Sequence, residues 1–347
     1  MKKTAVVLFN LGGPDVQESV QPFLYNLFSD PAIIGAPQPI RYLIAKLIST
    51  RRAPIARQIY AHLGGGSPIL KNTQAQAQAL EAELNSNAQD EEYKTFIAMR
   101  YWHPFTEEAA QAVKNYAPDE IILLPLYPQF STTTVGSSVK AWHKTAKKLG
   151  IKAPTQAICC YPHNEGFINA LTSAIHPAYQ EASKFGKPRI LFSAHGLPEK
   201  IVKAGDPYQI QCGLTVEAMR QKLAIENLDF VLCFQSRVGP LKWIGPSTDA
   251  EILRAGQDKT PLIVVPIAFV SDHSETLVEI DIEYRHLAKE KGVPHFGYVP
   301  TVGTHSDFIR GLAAITRANQ KMKKSYACAT GAKLCSSEFS GCPCKTN

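Results

Sequence analysis

No stretch of the 347 residues approaches the length of an apolar membrane span, so the chain reads as a soluble protein. The G-x-G-x-x-G fingerprint is missing as well. Gly12-Gly13-Pro14, after the first apolar run, has the wrong spacing for it and implies no nicotinamide or flavin site. There is no G-x-S-x-G elbow, and Ser193 and His195 two residues apart, even with Asp272, do not make a serine hydrolase. The absence of H-E-x-x-H argues in the same way against a zinc hydrolase. The amino terminus is basic and then apolar like a leader, but it reaches a Gly-Gly-Pro turn without a small-residue cleavage site, so it is expected to be a core strand of a cytoplasmic protein. The net charge of +7 is spread over clusters at Arg51-Arg52, Lys147-Lys148 and Lys321 to Lys324 with no nucleic-acid-binding motif. It suits an anionic small molecule or lipid surface better than nucleic acid.

What is present is a repeated rhythm. Short β-branched apolar runs at Thr4 to Asn10, Tyr93 to Met99, Glu120 to Leu126, Arg189 to Ser193, Asp229 to Gln235, Pro261 to Val270 and Pro294 to Val299 alternate with stretches of helical period. That pattern predicts an α/β chain of two doubly wound lobes, with parallel sheets flanked by helices. The expected division is 1–155, 156–306, a last helix over 307–327 packing back on the first lobe, and a cysteine-rich tail, 328–347. Between Val16 and Ile48, aromatic and aliphatic residues interleave with Arg41 and Lys46. They would form either a packed helix pair or an apolar lip suited to peripheral contact with anionic lipid.

Ligands of such folds gather beyond the carboxyl ends of strands. The strand ending near Val270 runs into a helix expected from about Ser274, on whose face Glu275, Glu279 and Glu283 recur every four residues. Asp272 and His273 sit in the turn before it, with Asp272 or Ser274 as the natural N-cap. His195, at another strand exit, would pair an imidazole with Glu275 and could take both protons and a divalent metal. A hydroxyl-rich loop from Tyr127 to Ser138 has the composition of an oxyanion-binding turn.

Eight cysteines are unevenly placed, with Cys328, Cys335, Cys342 and Cys344 crowded at the end. In a reducing compartment Cys335-x6-Cys342-x-Cys344 predicts a metal site, zinc on thiolates or a [2Fe-2S] cluster. The fourth ligand is Cys328, or Cys159 or Cys160 in the body.

These segments resemble the ferrochelatase family over nearly the whole length. The resemblance is carried by Leu11-Gly-Gly-Pro14, Gly65-Gly-Ser-Pro68, Met99-Arg-Tyr-Trp-His-Pro104, Leu126-Tyr-Pro-Gln-Phe-Ser131 with Thr134 to Ser138, Leu191-Phe-Ser-Ala-His-Gly-Leu-Pro198, Gly205-Asp-Pro-Tyr208, Phe234-Gln-Ser-Arg-Val-Gly-Pro240, Trp243-Ile-Gly-Pro246 and Pro266-Ile-Ala-Phe-Val-Ser-Asp-His-Ser-Glu-Thr-Leu277. It implies Rossmann-like lobes of the chelatase kind and insertion of Fe2+, as substrate, into protoporphyrin IX with release of two protons, the last step of haem synthesis. It further implies that His195 and Glu275 face each other across the porphyrin cleft, His195 abstracting pyrrole protons or receiving the metal, with Asp272, Glu279 and Glu283 as an acidic route. Tyr25, Leu27, Phe28, Tyr127, Trp243 and Phe269 are the implied porphyrin walls. Arg100, Ser131 and Ser137 would meet propionates or orient the loop. The tail resembles that of bacterial iron-sulfur members, with Cys160, Cys335, Cys342 and Cys344 as ligands and Cys328 spare. The animal pattern is excluded because Thr132 stands at its internal ligand position. Insertion of another metal or into another tetrapyrrole such as coproporphyrin III, and a porphyrin carrier without turnover, are the alternatives.

Overall fold

The computed structural model describes residues 1–86, 88–237, 241–329, 331 and 333–344, so that Val238-Gly239-Pro240 of the quoted Phe234 to Pro240 segment lies outside the described residues. The chain forms two compact units. The first comprises Met1–Cys160, Ala313–Leu334 and the segment from Pro343, and the second comprises Tyr161–Leu312 and Cys335–Cys342.

In the first unit five parallel strands lie in the order β2-β1-β3-β4-β9. These are β1 (Lys2–Asn10), β2 (Glu91–Met99), β3 (Glu120–Pro125), β4 (Thr155–Ile158) and β9 (Tyr326–Ala327). Ala5 to Phe9 and Ile121 to Leu124 are buried without a break, as strands covered on both faces must be. Two of the strands were not expected. β4 and β9 are four and two residues long, too short to carry a period, and β9 exists only because Ala157 and Ile158 offer it an edge. The cysteine-rich tail therefore begins beside Cys159 and Cys160: the Cys159 amide donates to the Ala327 carbonyl at 2.8 Å and the Ala329 amide to the Cys160 carbonyl at 3.0 Å. The last helix, Ser306–Met322, enters this unit from Ala313 onward, where Arg317 donates to the carbonyls of Glu83 and Leu84 and Gln320 to Glu91.

The second unit has four parallel strands in the order β6-β5-β7-β8: β5 (Arg189–His195), β6 (Asp229–Gln235), β7 (Leu262–Pro266) and β8 (Phe296–Tyr298). Both sheets reverse direction beside their first strand, between β1 and β3 and between β5 and β7. The carboxyl ends there are the natural ligand positions of each unit. β7 stops at Pro266, four residues short of the expected end, and residues 267–273 run irregularly before the helix begins.

That helix departs most from expectation. Glu275–Tyr284 is a π-helix, which Arg285–Glu290 continues as ordinary α-helix. The wider i→i+5 turn returns position i+5, rather than i+4, to the same side. The uniform stripe of Glu275, Glu279 and Glu283 is thus broken. Glu283 is exposed, while Tyr284, five residues after Glu279, is buried and donates to Glu279 Oε1 at 3.0 Å. Ser274 stands at the N-cap position but makes no side-chain cap hydrogen bond. Asp272 Oδ1 accepts from Tyr298 at 2.7 Å and from the Thr301 amide at 3.3 Å, and the Thr276 hydroxyl accepts from the His273 amide at 3.0 Å.

Candidate active site

In the second unit His195, the last residue of β5, meets Glu275, the first of the π-helix, at 2.7 Å between Nδ1 and Oε2. Two residues expected to face each other over a gap are in direct hydrogen-bond contact. Gly196 makes room for this strand exit: a Cβ there would lie 2.9 Å from the Gln235 carbonyl oxygen and 3.2 Å from Cε3 of the half-buried Trp243. Phe269 stands edge-on to the His195 ring, with centroids 6.4 Å apart, and packs at 4.6 Å against His273.

Electrostatics divides the four titratable groups into two kinds. Burial disfavours the His195 cation, but the Glu275 charge and hydrogen bond outweigh it and raise the imidazole above its ordinary value. Burial likewise opposes ionisation of Glu275, and His195 overcomes it, holding the carboxyl at about 2. The other two go the opposite way. Glu279 is raised by burial and by the neighbouring Glu275 charge, and His273 is lowered by burial. The His273 Nδ1 lies 3.1 Å from the Ser271 carbonyl, which can only accept, so the proton sits on Nδ1 and the ring braces the loop. Its Nε2 is 4.0 Å from Glu275.

Sequence reasoning did not single out the residues that bind the two carboxylates together. Ser236, just after β6, holds φ at +62° and turns both its amide and its hydroxyl to the π-helix. The amide donates to Glu279 Oε1 at 2.8 Å, and the hydroxyl lies 3.0 Å from Glu275 Oε2 and 2.5 Å from Glu279 Oε2. Gln235 reaches the Glu275 carbonyl at 3.3 Å and Glu279 at 3.4 Å. The only hint in the sequence was their place in the Phe-Gln-Ser strand exit.

The first unit gathers its residues around Asp30, which no sequence signal marked. This buried carboxylate accepts at Oδ2 from Arg100 at 2.8 Å, from the Tyr101 hydroxyl at 2.9 Å and from the Ser137 hydroxyl at 2.7 Å. Arg100 also donates from Nε to Ser137 at 2.8 Å. Ser131 is buried and serves its own turn, lying 2.9 Å from the Thr133 hydroxyl. Tyr127 is half-buried at the exit of β3, and burial raises its phenol. Leu27 and Phe28, half-buried on the helix Val20–Phe28, pack with Val20, Tyr60 and Tyr101. Tyr25, on the same helix, lines a groove of about 350 Å³ with Pro39, Tyr42, Leu43 and Lys46. On the helix Gln38–Ala61, Ile40, Leu43 and Leu47 stand exposed, Leu43 by 74%. No helix among the described residues is long and apolar enough to cross a membrane.

Four cysteines of the first unit come together. The thiols of Cys159, Cys160 and Cys328 lie within 4.8 Å of one another, Cys159 is equally near Cys344, and the Cys328 and Cys344 sulfurs are 3.5 Å apart. Hydrogen bonding with Cys159, Cys160 and Cys344 lowers the Cys328 thiol far below its usual range. Cys328, expected to be spare, is in the middle of the group. Cys335 and Cys342 belong to the segment counted with the second unit, where Cys335 accepts from Gln211 at 3.2 Å.

Two parallel-sheet α/β units with flanking helices are a chelatase-like fold. The fold is similar to that of SirB from Bacillus subtilis with Fe3+, with a TM-score of 0.53 at 9% identity, over 93% of this chain and 96% of that one. A family model described as Ferrochelatase matches residues 3–320. Proteins named ferrochelatase from Caulobacter vibrioides and Pelagibacter ubique are 52% identical over 344 residues and 50% identical over 342, each covering 99% of this chain and 98% of the relative. The chain belongs to the ferrochelatase family.

Proposed function

We propose that the chain inserts ferrous iron into protoporphyrin IX to give protohaem, and that His195, paired with Glu275, accepts the two pyrrole protons in turn, releasing the first to solvent before it takes the second. The observation that carries this is the 2.7 Å contact between His195 Nδ1 and Glu275 Oε2. A neutral His195 that donates Nδ1–H to the carboxylate keeps its lone pair on Nε2, on a side chain 40% exposed. When Nε2 takes a proton, the imidazolium forms against an ionised carboxylate, which stabilises it as the charge develops. Loss of two protons leaves a tetrapyrrole ring with two negative charges that match Fe2+, so the metallated core is neutral apart from the propionates and no oxidant is required. Trp243 and Phe269 supply flat apolar faces beside the pair, and Tyr25, Leu27, Phe28 and Tyr127 supply others in the first unit. The hold of Asp30 on Arg100 and Ser137 favours the loop-orienting role for these two. An anaerobic assay with Fe2+ and protoporphyrin tests the reading. His195→Ala and Glu275→Gln should each lose about 10²–10⁴-fold in kcat; full activity in both refutes the site, and tight porphyrin binding without insertion by the unaltered protein makes it a carrier.

We also infer a metal group on the cysteines, a [2Fe-2S] cluster with structural zinc as the alternative. Buried thiols a few ångströms apart are a soft donor set of the kind such groups take. Cys344, Cys342 and Cys335 remain the tail ligands of this reading. The nearness of the Cys159 thiol to that of Cys344 favours Cys159 over Cys160 as the ligand from the body. When bound, a cluster supplies a one-electron redox centre and ties the tail to the body. Visible absorption of anaerobically purified protein, with iron and sulfide counts for Cys159→Ser, Cys160→Ser and Cys328→Ser, decides between the ligand sets. Colourless protein with one zinc sinks the cluster.

Finally, the exposed Ile40, Leu43 and Leu47 beside Arg41 and Lys46 support peripheral contact of a cytoplasmic protein with anionic lipid. Co-sedimentation with phosphatidylserine vesicles, lost in Leu43→Glu and in high salt, is the expected result.

A further inference from the structure

Glu279 meets four donors, which is the full capacity of a carboxylate: the Ser236 amide and the Tyr284 hydroxyl at Oε1, and the Ser236 hydroxyl and the Gln235 amide group at Oε2. Glu275, by contrast, keeps lone pairs open beyond His195, because the one Ser236 hydroxyl proton lies along the shorter contact to Glu279 and its oxygen only neighbours Glu275 Oε2 at 3.0 Å. The donors to Glu279 are themselves fixed. The Ser193 hydroxyl, two residues before His195 on β5, donates to Gln235 Oε1 at 2.7 Å and so turns the Gln235 amide nitrogen toward the π-helix. Ser236 can present its amide and hydroxyl together only because its backbone is left-handed, and Tyr284 reaches back to Glu279 only because the helix turns in π register.

We infer that Glu279 is an anchor and not a carrier of iron, and that Gln235, Ser236 and Tyr284 are positioning residues which clamp it, holding the first turn of the π-helix so that Glu275 points at His195. This rests on the reading of His195 and Glu275 as the proton-accepting pair and replaces the expectation that Glu279 passes iron inward. The Glu275 backbone is part of the clamp, since its carbonyl accepts from Gln235. A loosened clamp therefore costs catalysis through Glu275, not the capture of iron.

Steady-state kinetics of Ser236→Gly and Tyr284→Phe under anaerobic conditions test it. Glycine keeps the left-handed backbone and the amide donor while deleting only the hydroxyl, whose contacts are with Glu279 and Glu275; Tyr284→Phe, which does not touch Glu275, separates the two. Expected is a fall in kcat of about tenfold for the loss of one hydrogen bond to a charged group, with KM for Fe2+ unchanged within about twofold. In the Glu275→Gln background Ser236→Gly should cost nothing further, because both act through one group. Ser236→Thr, β-branched at a positive φ, should not restore the rate. A raised KM for Fe2+ with kcat intact overturns the inference and makes Glu279 a carrier, as do additive losses in the double variant. If Ser236→Gly does not fold, Tyr284→Phe decides alone, its melting temperature confirming an intact fold. Wild-type kinetics in both variants beside an inactive Glu275→Gln refute the clamp and leave the catalytic pair standing, whereas a fully active Glu275→Gln refutes the pair itself.

Discussion

Replacing Asp30 by alanine removes the one acceptor that holds Arg100, Tyr101 and Ser137 together. The Arg100 side chain is 23% exposed and that of Asp30 2%, so the pair is effectively buried on the acid side while the guanidinium keeps an edge in water. Breaking a buried pair from one side costs about 3–5 kcal/mol, and the partial exposure of Arg100 puts the value near the lower end. The Tyr101 and Ser137 hydroxyls lose a charged acceptor as well, though Ser137 can still accept from Arg100. About 3–4 kcal/mol is the working figure, equivalent in a unit of this size to a fall in melting temperature of roughly 6–16 °C. Guanidinium and thermal denaturation at neutral pH read it. Asp30→Asn, which keeps an acceptor oxygen, should lose less, and the pair Asp30→Leu with Arg100→Met should recover much of the loss because no unpaired charge is left. A loss below about 1 kcal/mol in Asp30→Ala refutes the idea that the carboxylate organises this corner of the unit.

The His195–Glu275 pair sets a pH window. The stabilisation from His195, whose value is raised, is full below its ordinary 6.5 and is lost as pH climbs through the raised value. The contribution of Glu275, held at about 2, is present above its ordinary 4.5 and is lost only as pH falls through about 2. Because neutral His195 is the base, kcat should rise with pH through the raised value. In Glu275→Gln the strongest raising influence is gone and burial is opposed only by the Glu279 charge, so the acid limb should move to lower pH; an unmoved limb shows that His195 is not the titrating group. Gly166→Ala should destabilise the second unit by about 1–3 kcal/mol, since a Cβ there would run into the Asp307 carbonyl oxygen and stand 2.9 Å from the Gly311 Cα. Differential scanning calorimetry checks this.

Much of this architecture was legible in the residues. The strands carry uninterrupted β-branched runs because both sheet faces are covered, and burial on both faces is a property a run can show without its partners. His195 was found because it ends such a run, and a strand exit in a parallel sheet is a ligand position by topology. The π-helix was not legible, because residues 275–284 are compatible with an α-helix. The wider turn goes with contacts that a local run cannot show, the bonds to Glu279 from Ser236, 43 residues earlier, and from Tyr284. Asp30 was invisible for the same reason. Its partners Arg100 and Ser137 are 70 and 107 residues away, and an aspartate at the end of a helix looks like any other solvated one.

Periodicity and motif by themselves determined the alternating α/β architecture, membership of the ferrochelatase family, and the two residues on which the proposed chemistry turns. Those features are written in local runs and ordered segments, which need no partner to be read. Only the tertiary structure decided that His195 and Glu275 touch, that Glu283 is exposed while Tyr284 turns inward, and that Cys328 stands amid the thiols of the first unit. Each of these depends on hydrogen bonds and sulfur contacts between residues distant in the chain, and such contacts acquire their geometry only when the strands have set the distance between them.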